Sequence, residues 1–273
     1  MTLENSEFSN RQYGLKIRRL DAVFLSICCL FLYLHLFILP NTPIYYEMDH
    51  VALLNDAKRM TEGEIIYRDF FELTFPGSHS LYFIFLSIFG AKYWVANLLI
   101  LLHGMAAAML GLYISRRVIA DNFFAYLPAA IYVFLGFRWF GIDGEHRMFS
   151  PLFACLAVFV LLSKQTFPRI AAAGVACAFS SFFTQQRGVL AAAAIGLFLF
   201  IQIVLIEREW PRFMKAAILF SLCFAASLAL LLSPFIIAAG PERFYECTVA
   251  FLANYVEDPS TNSLHTYFGS LAK

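Results

Sequence analysis

The sequence predicts an all-α membrane protein with about seven transmembrane helices and with interfacial helices in the first external loop. Two observations support this fold class. The 273 residues are 60% hydrophobic and 14% charged, with a mean hydropathy of +0.69, and such a composition is too apolar for a water-soluble domain. The apolar residues also gather in runs that approach the ~20 residues needed to cross a bilayer. The net charge of +1 argues neither for nor against a nucleic-acid-binding protein, but the sequence has no basic runs interleaved with aromatic residues, and this argues against that class.

Seven apolar runs are interpreted as membrane crossings because each approaches the length of a transmembrane helix. They are 21–40, 93–114, 123–137, 148–163, 170–184, 189–206 and 216–239. A shorter apolar run, 78–89, is too brief to span and is expected to lie at the outer interface. No small-residue cleavage site precedes the end of the first run, so we interpret that run as a retained anchor rather than a signal peptide.

The Lys and Arg residues of the short connections orient the bundle by the positive-inside rule. They precede the first run or follow the second, fourth and sixth runs, and these connections all lie on the same side of the membrane. They include Arg18, Arg117, Lys164, Arg169 and Lys215. This alternation predicts a cytoplasmic N-terminus, 1–20, followed by a bundle, 21–239, whose external loop 41–90 carries the chemistry. Residues 240–273 are expected to form an external tail, which is consistent with a truncated C-terminal part.

The polar part of the first external loop, 41–77, carries seven carboxylates. They are Glu47, Asp49, Asp56, Glu62, Glu64, Asp69 and Glu72. Apolar residues recur at helical spacing between Asp49 and Gly63, which predicts an amphipathic helix that Asp49 caps at its start and Gly63 at its end. The helix dipole favours an ionised Asp49. Asp49 is therefore interpreted as a cap, as a reactive carboxylate, or as both.

The motifs of the first half follow a characteristic order. A carboxylate after the first span and a helix precede a Gly-x-x-Ile-Tyr-Arg-Asp segment, a Pro-Gly turn and a terminal Phe-Gly, carried here by Asp49, Gly63, Tyr67-Arg68-Asp69, Pro76-Gly77 and Phe89-Gly90. Over about residues 15–200 this order resembles the N-terminal half of the GT-C-fold glycosyltransferases. It looks closest to the bacterial dolichyl-phosphate-mannose-type and lipopolysaccharide-core transferases, which are related to protein O-mannosyltransferases and aminoarabinose transferases.

The resemblance implies an inverting membrane glycosyltransferase of a bacterial inner membrane. Its donor would be a polyprenyl-phosphate sugar, and its acceptor a cell-envelope glycan, lipid or protein at the external face. By the same resemblance Asp49 lies at the active site. Glu47 is the candidate partner carboxylate, while Asp143 and Glu145 are candidate supporting acids in the next external loop.

Sugar transfer from a lipid phosphate needs a carboxylate that orients or deprotonates the acceptor and a cation that stabilises the leaving phosphate. A guanidinium group suits the second task because it binds phosphate in a bidentate way. The candidates for substrate or phosphate binding are Tyr67, Arg68, Asp69, Arg147, Gln186 and Arg187. For each Arg, contact with a lipid headgroup is the simpler alternative.

The sequence assigns no metal ligand, and a divalent cation is left open as a cofactor. His50, His79 and His146 lack metal-ligand spacing and are interpreted as solvated or hydrogen-bonded loop histidines. The chain also lacks a Gly-rich nucleotide-binding turn, in keeping with a lipid-linked donor. Two other classes stay open: a transporter or flippase, which would carry ionisable groups at mid-membrane, and a non-catalytic subunit that binds a polyprenyl lipid.

Overall fold

The structure is a computed structural model that describes residues 18–38, 42–44, 49–119, 122–136 and 146–257. Within these ranges the chain is helical apart from short connections and one small antiparallel sheet, β1 (Phe37–Ile38) with β2 (Thr42–Pro43). The helices are α1 (Arg19–Leu36), α2 (Asp49–Thr61), α3 (Gly77–Phe89), α4 (Tyr93–Val118), α5 (Phe123–Gly136), α6 (His146–Leu161), α7 (Phe167–Phe183), α8 (Gln185–Ile206), α9 (Trp210–Ala239), α10 (Pro241–Tyr245) and α11 (Phe251–Glu257). A π-helical turn, Glu246–Ala250, joins α10 to α11.

Each predicted crossing overlaps one helix, α1 or one of α4 to α9. Four of these helices, α1, α4, α8 and α9, are long and apolar enough to cross a membrane, whereas α5, α6 and α7 are shorter apolar helices. The all-α prediction is confirmed, and the apolar helices indicate a membrane protein. The figure of about seven crossings stays a prediction.

The outer surface of the long helices is apolar. In α9, for example, Leu222, Leu230 and Ile237 are 63%, 74% and 80% exposed. Water-soluble monomers rarely expose a contiguous apolar surface of this extent. Hydrocarbon is therefore the solvent that suits these faces.

Contacts between helix ends divide the bundle into two ends. At one end, which we call the Asp21 end, Arg116 and Tyr126 donate hydrogen bonds to Asp21, and Arg212 donates to the Gln165 carbonyl at 3.1 Å. These contacts join the start of α1 to the end of α4, and the start of α9 to the connection between α6 and α7.

At the opposite end, the loop end, Asn97 of α4 donates to the carbonyls of Leu36 and Ile44 at 2.6 and 3.0 Å. Ser150 of α6 bonds Ser180 of α7 there through their hydroxyls, 2.9 Å apart. The seven helices of the bundle thus run alternately between the two ends. Helices α2 and α3 and the connecting segment 62–76 lie at the loop end.

Small residues allow the central helices to approach closely. A Cβ atom at Gly174 of α7 would lie 2.6 Å from the carbonyl oxygen of Phe220 in α9. A Cβ atom at Gly77, the first residue of α3, would lie 2.5 Å from the carbonyl oxygen of Phe182 in α7. Glycine is therefore required at both positions by backbone packing.

Residues 241–257 are helical and pack on the connecting segment. Phe244 of α10 and Cys247 are buried in a cluster with Ile66, Tyr67 and Phe70 of the connecting segment. The Arg243 guanidinium also donates to the Tyr67 carbonyl at 3.2 Å. The connecting segment is therefore held between the bundle and the last described helices.

Candidate functional site

The helices α2 and α3 pack as a pair on the loop end of the bundle. Leu53, Leu54 and Ala57 of α2 are buried against Tyr82 and Leu86 of α3. Helix α2 begins at Asp49, the residue that the sequence places at its start, and it ends at Thr61, just before Gly63. Gly63 has a φ of 102°, a conformation that favours glycine, so the predicted end of the helix is confirmed.

Two carboxylates converge on a fully buried histidine between α2, the connecting segment and α3. The Nε2 atom of His79 lies 3.3 Å from Oε2 of Glu72 and 3.6 Å from Oδ2 of Asp56. Three donors hold the other Glu72 oxygen, Oε1: the backbone N–H groups of Leu73 and Thr74 and the Thr74 hydroxyl, at 2.8–2.9 Å. The second Asp56 oxygen lies 3.7 Å from the Arg59 guanidinium.

These neighbours shift the ionisation of the buried groups. Burial would raise the pKa of the Glu72 carboxyl, but the adjacent His79 ring and the hydrogen bonds from Thr74 lower it to about 2. Burial would lower the pKa of the His79 imidazole, yet the two carboxylates outweigh burial and raise it above its usual value. The side chains of Asp56, Glu72 and His79 therefore form one interacting cluster.

The Tyr67-Arg68-Asp69 segment is organised by local hydrogen bonds. The Tyr67 ring is fully buried, and its hydroxyl donates to the Thr74 carbonyl at 2.7 Å. Its φ of 70° is uncommon for a residue with a side chain. Asp69 accepts hydrogen bonds from the Arg68 guanidinium and from the Ile65 N–H, which hold the pKa of this carboxyl at about 2. These three residues shape the connecting segment.

An open pocket of about 340 Å³ lies at the loop end where α8 begins. Its polar wall includes Arg147 at the start of α6 and Gln185, Gln186 and Arg187 in the first turn of α8, and its apolar wall includes Leu73 and Leu252. The Arg187 guanidinium donates to the Arg147 carbonyl at 2.7 Å, and the Gln185 amide donates to the Leu73 carbonyl at 3.0 Å. The pocket thus combines two guanidinium groups with the N-terminus of a long helix, an arrangement that attracts anions.

The structure brings together only part of the predicted site. Arg147, Gln186 and Arg187 line one pocket, while Tyr67, Arg68 and Asp69 lie in the connecting segment and do not line it. The candidate acids Glu47, Asp143 and Glu145 lie outside the described residues, as do the side chains of Asp49, His50 and His146. Their predicted roles stay predictions.

The grouping of Asp56, Glu72 and His79 was not predicted from the sequence. These residues are 16 and 7 positions apart, so no local spacing joins them. The sequence offered only one weak indication of this cluster, the position of His79. His79 opens an apolar helix, and a buried histidine at such a position needs a polar partner.

Comparisons with protein-family models, with curated proteins and with solved structures found no match for this chain.

Proposed function

We propose that this chain is a membrane glycosyltransferase that moves a sugar from a polyprenyl-phosphate donor to a cell-envelope acceptor. The observation that supports this proposal best is the pocket lined by Arg147, Gln186 and Arg187 at the start of α8. Two guanidinium groups and the positive end of a helix dipole suit a phosphate or diphosphate group. The exposed apolar faces of the neighbouring helices suit the polyprenyl chain that such a phosphate would carry.

In this proposal Asp49 orients or deprotonates the acceptor hydroxyl, and Arg147 and Arg187 stabilise the phosphate that leaves. Helix α2 begins at Asp49 and packs on the loop end of the bundle, and the pocket lies at the same end. Glu47, Asp143 and Glu145 are supporting acids, and Arg68 and Asp69 act by shaping the connecting segment. The carboxylate that acts on the acceptor and the cations that stabilise the phosphate are therefore at the same end of the molecule.

The proposed location is a bacterial inner membrane with the loop end on the external side and the N-terminus in the cytoplasm. At the Asp21 end, Lys164 lies in the connection between α6 and α7, Arg169 lies in the first turn of α7, and Arg212 and Lys215 lie in the first two turns of α9. An excess of Lys and Arg is typical of cytoplasmic connections. The pocket would then open to the external face, where lipid-linked sugars are used.

The test is sugar transfer from a panel of radiolabelled polyprenyl-phosphate sugars by purified protein in lipid vesicles. We expect transfer by the wild type, no transfer by Asp49→Asn, and a loss of about 10²-fold in rate for Arg187→Gln. The matched control is Arg208→Gln, which removes an exposed guanidinium at the Asp21 end. We expect this control to retain full activity.

Two results would contradict the proposal. Folded protein that binds polyprenyl phosphate but transfers no sugar would favour a non-catalytic lipid-binding subunit. Movement of the labelled lipid across the vesicle membrane without transfer would favour a flippase.

A further inference from the structure

The cluster of Asp56, Glu72 and His79 has the geometry of a cation site. Each residue offers one ligand atom, and the three atoms lie within 4.8 Å of one another. The residues come from three different elements, α2, the connecting segment and α3. Each has limited contact with solvent: the side chains are 19%, 18% and 0% exposed.

The histidine is not satisfied by hydrogen bonds. Neither ring nitrogen of His79 has a partner with hydrogen-bond geometry among the residues that the structure describes, although the side chain is fully buried. Buried polar atoms rarely lack a partner, and those that do call for an explanation such as a bound ion. The Nε2 atom lies 3.3 and 3.6 Å from the two carboxylate oxygens, and neither contact has hydrogen-bond geometry.

The two distances from Nε2 to the carboxylate oxygens suit a tetrahedral ion. Zn²⁺ binds nitrogen and oxygen at about 2.0–2.2 Å, which places neighbouring ligand atoms of a tetrahedron about 3.3–3.6 Å apart. The two distances from Nε2 are 3.3 and 3.6 Å. An octahedral Mg²⁺ ion would need neighbouring ligand atoms about 3 Å apart, and it favours oxygen ligands over an imidazole. Two carboxylates also match the charge of a divalent cation.

We propose that Asp56, Glu72 and His79 bind one divalent transition-metal ion, and that Zn²⁺ is the ion that fits best. The hydrogen bonds from Leu73 and Thr74 to Oε1 of Glu72 orient the carboxylate so that Oε2 faces the site. Outer contacts of this kind are typical of metal ligands.

The bound ion fixes the position of the connecting segment, because it links α2 to α3 through Glu72. It acts as a structural clip and takes no part in the chemistry of the pocket at α8. The inference does not rest on the proposed transferase activity, and its readouts are metal binding and thermal unfolding.

The experiment is a titration of tag-free, chelator-treated protein in detergent with ZnCl₂ by isothermal calorimetry, together with the metal content after dialysis. For the wild type we expect one Zn²⁺ per chain and a Tm that rises with Zn²⁺ concentration, because an ion that binds only the folded state stabilises it. In Asp56→Asn and in Glu72→Gln we expect at least tenfold weaker binding and no rise in Tm. Both substitutions keep the side-chain volume, and circular dichroism checks that each variant is folded.

The matched control is Glu62→Gln, which neutralises an exposed carboxylate near the same segment and leaves the cluster intact. It should bind Zn²⁺ as the wild type does. Wild-type protein that binds no Zn²⁺ would overturn the site, and so would folded Asp56→Asn and Glu72→Gln variants with unchanged affinity. Tighter binding of Mg²⁺ than of Zn²⁺ would overturn the assignment to a transition metal.

Discussion

At the scale of single residues, Asp21 is almost fully buried at the start of α1. It accepts hydrogen bonds from the Arg116 guanidinium, the Tyr126 hydroxyl and the Arg18 N–H. Arg116 adjoins Arg117 at the Asp21 end, but its side chain is buried and paired with Asp21. A charge that is neutralised in this way contributes little to the positive potential of that end.

Replacing Asp21 with Asn should therefore be costly. The substitution leaves the Arg116 guanidinium buried without its counter-charge, and removing one partner of a buried ion pair costs about 3–5 kcal/mol. We expect a clear loss of thermal stability in detergent, measured by the unfolding temperature. The control is Glu246→Gln, in the exposed pair with Arg243, where we expect a change of less than about 1 kcal/mol. Equal effects at the two sites would contradict this assignment.

Tyr67 combines a buried hydroxyl with an uncommon backbone conformation. In Tyr67→Phe the buried carbonyl of Thr74 loses its donor, so we expect a loss of about 1–2 kcal/mol in the free energy of unfolding. Chemical denaturation in detergent measures this loss. Tyr245→Phe, at a side chain that is 58% exposed, should change stability by less than about 0.5 kcal/mol. A wild-type stability in Tyr67→Phe would show that the hydrogen bond has no net effect.

At the scale of elements, the approach of α7 to α9 depends on Gly174. In Gly174→Ala the new methyl group meets the Phe220 carbonyl, and the helices must separate at a cost of about 1–3 kcal/mol. Gly196→Ala in α8 is the matched control, since no atom lies within 4 Å of the added Cβ. We expect the control to be neutral or slightly stabilised, because alanine favours a helix. Thermal unfolding of the two variants in the same detergent decides the comparison.

The elements themselves were largely predictable, because apolar runs and capping residues are local signals. The run 93–114 lies within α4, and Gly63 marks the end of α2 as expected. The contacts between elements were not predictable in the same way. Asp21 and Arg116 are 95 residues apart, and no spacing rule connects them.

At the scale of the whole molecule, the alternation of the helices predicts that the two ends lie on opposite sides of the membrane. Lys164 is exposed at the Asp21 end, and Glu62 is exposed near the loop end. In Lys164→Cys and Glu62→Cys, we expect a membrane-impermeant maleimide to label Glu62→Cys from outside intact cells and Lys164→Cys only after permeabilisation. The unsubstituted protein gives the background from the native cysteines. Labelling of both variants from the same side would contradict the proposed arrangement.

The candidate site was predictable only in part, because local signals predict helices but not the contacts between them. Arg147 directly precedes the predicted run 148–163, and Gln186 and Arg187 lie just before the predicted run 189–206. Because successive helices run in opposite directions, the sequence places the three residues at the same end of the bundle. The cluster of Asp56, Glu72 and His79 depends on how α2 folds back on α3. That packing is set by apolar contacts between the two helices, which no motif describes.

Tyr67 and Arg243 are in contact but are 176 residues apart in the sequence, so Tyr67 is synthesised well before its partner. At ~5–20 residues per second, a ribosome needs about 9–35 s to make the intervening chain. During that interval the connecting segment lacks the support of α10, while the earlier helices are already able to insert. The connecting segment, which carries Glu72, therefore reaches its final packing only after α10 has been made.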